Sequence, residues 1–411
     1  MNVSDSTAVR AHWGGVFAMT LCVFALIASE FMPVSLLTPM ATDLVVSEGW
    51  AGYGIAISGA FAVITSLSIG RLAGSLDRKT VLLLLTALMA LSGLLVASAP
   101  SYLMYMLGRA LIGVVIGGFW SLSAATAMRL VPPAQVPRAL AIFNGGNALA
   151  TVIAAPLGSY LGGVIGWRGA FLCLVPLAGI ALVWQWASLP RMAAQTGVRR
   201  SVLSLLRRRV VLLGMIACGA FFMGQFALFT YVRPFLETVT HADTTTLPWM
   251  LLGIGVGGLL GTVAIGAFTR RGLYRTLFLL PLLMAAIAVV LIPLGAMPWP
   301  VAILLAAWGF FATAAPVGWW SWLASTFTED AEAGGGLMVA VVQCAIALGS
   351  TVGGVLFDRF GFAATFMVSA VVLVCAAGLA GLTALEDART SGRPGAACNY
   401  RLLSSFFRFD S

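Results

Sequence analysis

The run GGVFAMTLCVFALIASEFMPVSLL, residues 14–37, decides the fold class. As a helix rising 1.5 Å per residue it extends about 36 Å, enough to cross a hydrocarbon core of roughly 30 Å. Its one charge is Glu30, and no other long apolar run of the chain contains a carboxylate. An ionised acid at that depth costs about 2.5–3.5 kcal/mol or more unless it is paired, hydrated or protonated. Glu30 is therefore the first candidate for handling protons, ions or a solute.

Beyond this run, 60% of the 411 residues are hydrophobic and only 9% are charged. Mean hydropathy is +1.01. Soluble domains carry about 25% charged residues, so the composition predicts an all-α polytopic membrane protein whose apolar exterior is solvated by lipid. Twelve apolar runs read as spans: 14–37, 50–70, 79–99, 102–127, 139–165, 168–189, 210–236, 248–268, 276–295, 299–323, 335–356 and 363–385. Pro156 and Pro316 interrupt two of them, which membrane helices tolerate. Of the 23 Lys and Arg residues, all but Arg109, Arg168, Arg233 and Arg359 fall in loops or tails on one side. By the positive-inside rule both termini are expected in the cytoplasm. The net charge of +9 is thus read as topology, with no nucleic-acid partner implied. A single Arg before the first run, without a small-residue cleavage site, predicts a retained first helix.

The predicted organisation is a six-helix bundle at 1–190, a basic cytoplasmic linker at 191–209, a second six-helix bundle at 210–386 and a cytoplasmic tail at 387–411. The linker holds Arg191, Arg199, Arg200, Arg207, Arg208 and Arg209; its end, Ser201–Val210, reads as a surface helix or as solvated chain. The halves share an echo. Leu157-Gly158-Ser159 and Gly162-Gly163-Val164 reappear as Leu348-Gly349-Ser350 and Gly353-Gly354-Val355. Two repeats related by an axis along the membrane normal are an established transporter plan.

Enzyme signatures are missing. The histidines, His12 and His241, fall in a tail and a loop, and Cys22, Cys173, Cys218, Cys344, Cys375 and Cys398 have no ligand spacing. Neither a metal, a cofactor nor a phosphate-binding loop is expected. What remains is a solute pathway driven by an ion or by exchange. Arg109 enters its span at the depth of Glu30 and is the natural partner for it; the pair reads either as a proton switch or as a static ion pair. Arg233 reads as an interfacial side chain that snorkels. Gly113, Gly117 and Gly118 follow Arg109, and Gly145, Gly146, Ala155, Pro156 and Gly158 follow in the next span; such small faces suit close packing or rocking. A flat heterocycle has stacking partners in Phe119, Trp120 and Trp319, and directional amides in Asn144, Asn147, Gln225 and Gln343.

The stretch Glu30-Phe31-Met32-Pro33 leading to Asp43-Leu44, the pair Arg109 and Gly113, the run Ala155-Pro156-Leu157-Gly158, and Gly166-Trp167-Arg168 together resemble the major facilitator superfamily, specifically its twelve-helix drug/proton antiporter exporters. The segment Gly70 to Lys79 is similar to the family's loop motif at its basic end, Asp77-Arg78-Lys79. It departs where Gly74 stands in place of an Asp and Asp77 in place of a Gly, so the charge relay that this motif implies is not expected in its usual form. At closer range Glu30–Ala41, Gly117-Gly118-Phe119-Trp120, Met128 to Pro133, Gly224-Gln225-Phe226-Ala227 and Pro316 to Trp319 resemble bacterial purine ribonucleoside exporters. That resemblance implies a multi-pass inner-membrane protein exporting inosine- or guanosine-type compounds in exchange for protons; a monomer is expected. Glu30 and Arg109 would couple the proton. Alternatives are a broader exporter of drugs, sugars or other metabolites, and a sensor that keeps the fold without transport.

Overall fold

The computed structural model describes residues 11–74, 76–132, 135–192, 206–327 and 331–391. Of the expected surface helix at 201–210 the first five residues lie outside them, and of the tail at 387–411 everything after Ser391; residues 209–210 belong to the next helix, and 387–391 continue the last one. Among the described residues all regular structure is helical. The first half comprises α1 (Trp13–Asp43), α2 (Glu48–Leu72), α3 (Arg78–Ala97), α4 (Tyr102–Arg129), α5 (Val136–Leu172) and α6 (Leu174–Ser188). The second comprises α7 (Arg209–Phe229), α8 (Val232–Thr238), α9 (Thr246–Arg271), α10 (Leu273–Leu294), α11 (Pro298–Thr326) and α12 (Ala331–Ser391). Ten of the resulting segments are long and apolar enough to cross a membrane.

Two of these are double-length, Arg138–Ser188 and Gly334–Thr390. Inside them Gly166 (φ 76°) and Gly361 (φ 78°) break the helical backbone. Only glycine adopts that conformation without a Cβ penalty, so each helical run breaks at one residue, within the gaps expected at 166–167 and 357–362. The span expected at 210–236 is instead divided at Thr230 and Tyr231. Pro234 lies four residues beyond Thr230, and a proline ring clashes with the carbonyl at i−4. Pro33, Pro39, Pro156 and Pro316 sit within continuous helices.

Polar starts fix the helix entries. The Ser47 hydroxyl accepts from the Trp50 N–H at 3.2 Å at the start of α2. Asp77 caps α3 through the Lys79 N–H at 2.8 Å, and its other oxygen accepts from the Met192 N–H at 2.6 Å. The Asp77-Arg78-Lys79 segment is thereby tied to the chain just after α6. In the loop before α9, hydrogen bonds from the Thr246 and Thr245 groups hold the Asp243 carboxyl below the usual carboxylate range. Inside the apolar spans, hydroxyls such as Thr20, Thr126 and Thr230 donate to the carbonyl four residues back, so none of these is left bare.

In the first half α1 packs on α5 and α6, and α4 on α2 and α3; in the second α7 packs on α12, and α11 on α9 and α10. One apolar core gathers Met19, Val23, Leu85, Ile116 and Phe143; another gathers Met215, Phe221, Phe235, Leu291 and Trp308. Across the halves, α2 meets α12 and α5 meets α9. The helix α1 is buried over most of its length, packs on α2 and α5, and also touches α8 of the second half.

Candidate functional site

Glu30 lies inside the protein, 5% exposed, and not on the lipid-facing surface. Its Oε1 accepts a hydrogen bond from Gln343 Nε2 of α12 at 3.3 Å. The acid of the first half is therefore joined to an amide of the second. Beside it, Arg109 is 1% exposed. Its Nε donates to the Gly54 carbonyl at 3.1 Å, one terminal nitrogen to the Ser29 carbonyl at 2.8 Å, and the other to Ser58 Oγ at 3.2 Å. No salt bridge joins Arg109 to Glu30 among the described residues, which corrects the expected direct pair. The donor fork of the guanidinium is taken up by α1 and α2, and it grips the peptide preceding Glu30 instead of the carboxylate.

The sequence positions this cluster through small residues. A Cβ on Gly113 would collide with the Ser58 backbone, and one on Gly117 with the Ala62 carbonyl. The close approach of α4 to α2 brings Arg109 within reach of Gly54 and Ser58. Gly59 of α2 is similarly close to the Gln343 carbonyl, at 2.7 Å from a built Cβ.

Next to Glu30, Phe31 stacks on Phe226 of α7 with centroids 6.0 Å apart and planes 21° apart. It meets Phe229 edge-on at 6.2 Å. Gln225, adjoining Phe226 in the chain, is buried with its side-chain oxygen unpartnered. Sequence reasoning selected Gln225 and Gln343 but passed over Phe31, Phe226 and Phe229. Their signal was adjacency: Phe31 follows the lone acid and Phe226 follows a membrane-embedded amide.

The remaining candidates are dispersed. Phe119 is fully buried in the first-half core, and Trp120 meets Phe143 edge-on at 6.2 Å. Trp319 is buried against Trp322 at 5.8 Å. Asn144 is exposed and donates to the Leu140 carbonyl at 2.9 Å, while Asn147 is half-buried. No ring contact joins Trp120 to Trp319 among the described residues. Gly118 abuts Leu85, and Gly158, two residues after Pro156, abuts Ser35 and Met32.

At the end of the protein where α1 finishes and α2 begins, the halves are fastened. Arg233 does not snorkel as expected: it is 8% exposed, pairs with Glu237 at 2.8 Å and donates to the Ser35 carbonyl of α1. Partners on two sides satisfy its donors where it lies, which removes the drive to reach water. Asp358 of α12 accepts from the Gly49 N–H at 3.0 Å and from Ser47 Oγ, engaging the start of α2.

A family model described as Major Facilitator Superfamily matches residues 19–336. The Transcription regulatory protein OpdE of Pseudomonas aeruginosa is 62% identical over 392 residues, covering 94% of this chain and 97% of that protein. The Purine ribonucleoside efflux pump NepI of Salmonella enteritidis is 39% identical over 369 residues, covering 90% of this chain and 93% of the relative. Its counterpart from Salmonella typhimurium matches to the same extent, 39% over 369 residues.

Proposed function

Starting from the premise that the chain belongs to the Major Facilitator Superfamily, we propose that it exports purine ribonucleosides such as inosine or guanosine across a bacterial inner membrane, taking protons in return. In this reading twelve spans form two six-helix bundles, the termini are cytoplasmic, and the bundles rock about a central site. The chain is a transporter and not an enzyme on this account. The observation that carries it is the buried contact between Glu30 and Gln343, which joins a titratable group of one half to an amide of the other.

Rocking that separates α1 from α12 would remove the Gln343 donor and change the hydration of Glu30, and both changes alter its hold on a proton. Arg109, fixed by α1, α2 and α4, supplies a constant positive field beside it. The Phe31 and Phe226 rings offer π-faces to a purine, and the free oxygen of Gln225 offers an acceptor. A charge crossing 100 mV yields about 2.3 kcal/mol, so a proton entering at about 150 mV sustains a solute gradient of a few hundredfold.

The name of the relative at 62% identity favours a second reading, a membrane-embedded regulator of transcription. The two readings meet if export lowers the internal concentration of an effector, since transcription then changes without contact to DNA. Uptake into everted vesicles of labelled inosine, guanosine, a sugar and a dye, measured with transcript levels in the same cells, separates them. The proposal expects selective purine nucleoside uptake, with transcript changes lost together with transport. A transcript effect that persists without any solute movement would favour the sensor, and equal movement of all solutes the broader exporter.

A further inference from the structure

Away from the central site, a crevice of about 250 Å³ opens between α9, α10 and α11 at the end of the protein where α9 finishes and α10 begins. Arg271, the last residue of α9, and Arg275, in the first turn of α10, stand at its mouth. Both are exposed, and among the described residues neither has an ion pair or hydrogen bond. Below them the walls are apolar: Phe268, Leu279 and Leu283 are each at least 40% exposed, and Phe310 lies behind. The lining reaches Gly261, ten residues before Arg271 on the same helix. That is about 15 Å of depth, half of a hydrocarbon core of roughly 30 Å and so the depth of one leaflet. The α10 N-terminus beside the arginines has no side-chain cap, which adds its partial positive charge at the mouth.

We propose that this crevice is a binding site for one anionic phospholipid, with its phosphate held between Arg271 and Arg275 and an acyl chain seated along Leu279 and Leu283. Three features agree on that occupant. Guanidinium forks match phosphate oxygens in pairs. Unpaired cations sit at headgroup level. The apolar groove beneath them ends where one leaflet ends. A soluble anion would use the mouth and leave the groove empty; an apolar solute would use the groove and leave the arginines idle.

The test is native mass spectrometry of the purified full chain titrated with phosphatidylglycerol or with phosphatidylcholine of identical acyl chains. Glycerol phosphate supplies the headgroup-only arm. The proposal expects tighter retention of phosphatidylglycerol than of phosphatidylcholine and no comparable binding of glycerol phosphate. The double variant Arg271→Gln/Arg275→Gln should bind phosphatidylglycerol about thirty-fold more weakly. Leu283→Trp, which fills the groove and leaves both charges, should weaken it as well. Equal retention of the two lipids, or unaltered retention by the arginine variant, would overturn the headgroup assignment. Full affinity for glycerol phosphate, or an unaffected Leu283→Trp protein, would overturn the acyl seat.

Discussion

Glu30 was legible in the sequence because an acid alone in an apolar run has no ordinary reason to be there. Arg109 was legible as its neighbour but not in its bonding. A guanidinium held by the Ser29 and Gly54 carbonyls leaves no mark in residue types or spacing, since every residue carries a carbonyl. The Phe31 and Phe226 stack was hidden for a related reason: the chain has 24 Phe residues, and which of them face one another depends on helix rotation. At this scale the account predicts that Phe226→Ala weakens nucleoside transport through substrate affinity. Loss of one stacking face is worth about 1–3 kcal/mol, so KM for inosine should rise roughly five- to 150-fold. Phe226→Trp should restore most of it. Initial rates in everted vesicles across an inosine series provide the check, and an unchanged KM in Phe226→Ala would place the base elsewhere.

Among the elements, the repeated glycines show how a sequence echo becomes packing. Gly158 and Gly162 bring α5 against Ser35 and Leu36 of α1, while Gly349 and Gly353 bring α12 against Met223 and Ala227 of α7. The echo therefore serves equivalent contacts in the two halves. Helix existence was readable from apolar runs, and the breaks at Gly166 and Gly361 fall in the gaps read at 166–167 and 357–362; the division of 210–236 at Thr230 and Tyr231 was not readable, because it lies inside an unbroken apolar run. The element most exposed to test is α4. A Cβ at Gly117 would overlap the Ala62 backbone, so Gly117→Val must force α4 from α2 and should cost about 1–3 kcal/mol. Gly145→Val, with nothing within 4 Å of its built Cβ, should change stability little. Thermal melts of the two proteins in one detergent compare them directly, with a lower Tm expected for Gly117→Val alone.

For the whole molecule, the contacts that cross between the halves were beyond the reach of sequence. They join residues hundreds of positions apart, such as Ser47 with Asp358 and Ser35 with Arg233. These contacts fasten the end where α1 finishes and α2 begins, and opening there must break them. Asp358→Ala removes a charged acceptor from the α2 start, worth about 1.5 kcal/mol, so the population open at that end should rise roughly tenfold. Spin labels at Val45→Cys and Thr244→Cys, in a background without native cysteines, should report a larger long-distance fraction. The central claim is that Glu30 carries the exchanged proton at the junction of the halves. Its most direct test is labelled-inosine movement in proteoliposomes, by counterflow and under an imposed pH gradient, for the native chain and for Glu30→Gln. The account predicts that Glu30→Gln loses uphill movement driven by the gradient while the native chain retains it. Gradient-driven accumulation by Glu30→Gln at the native level would contradict it.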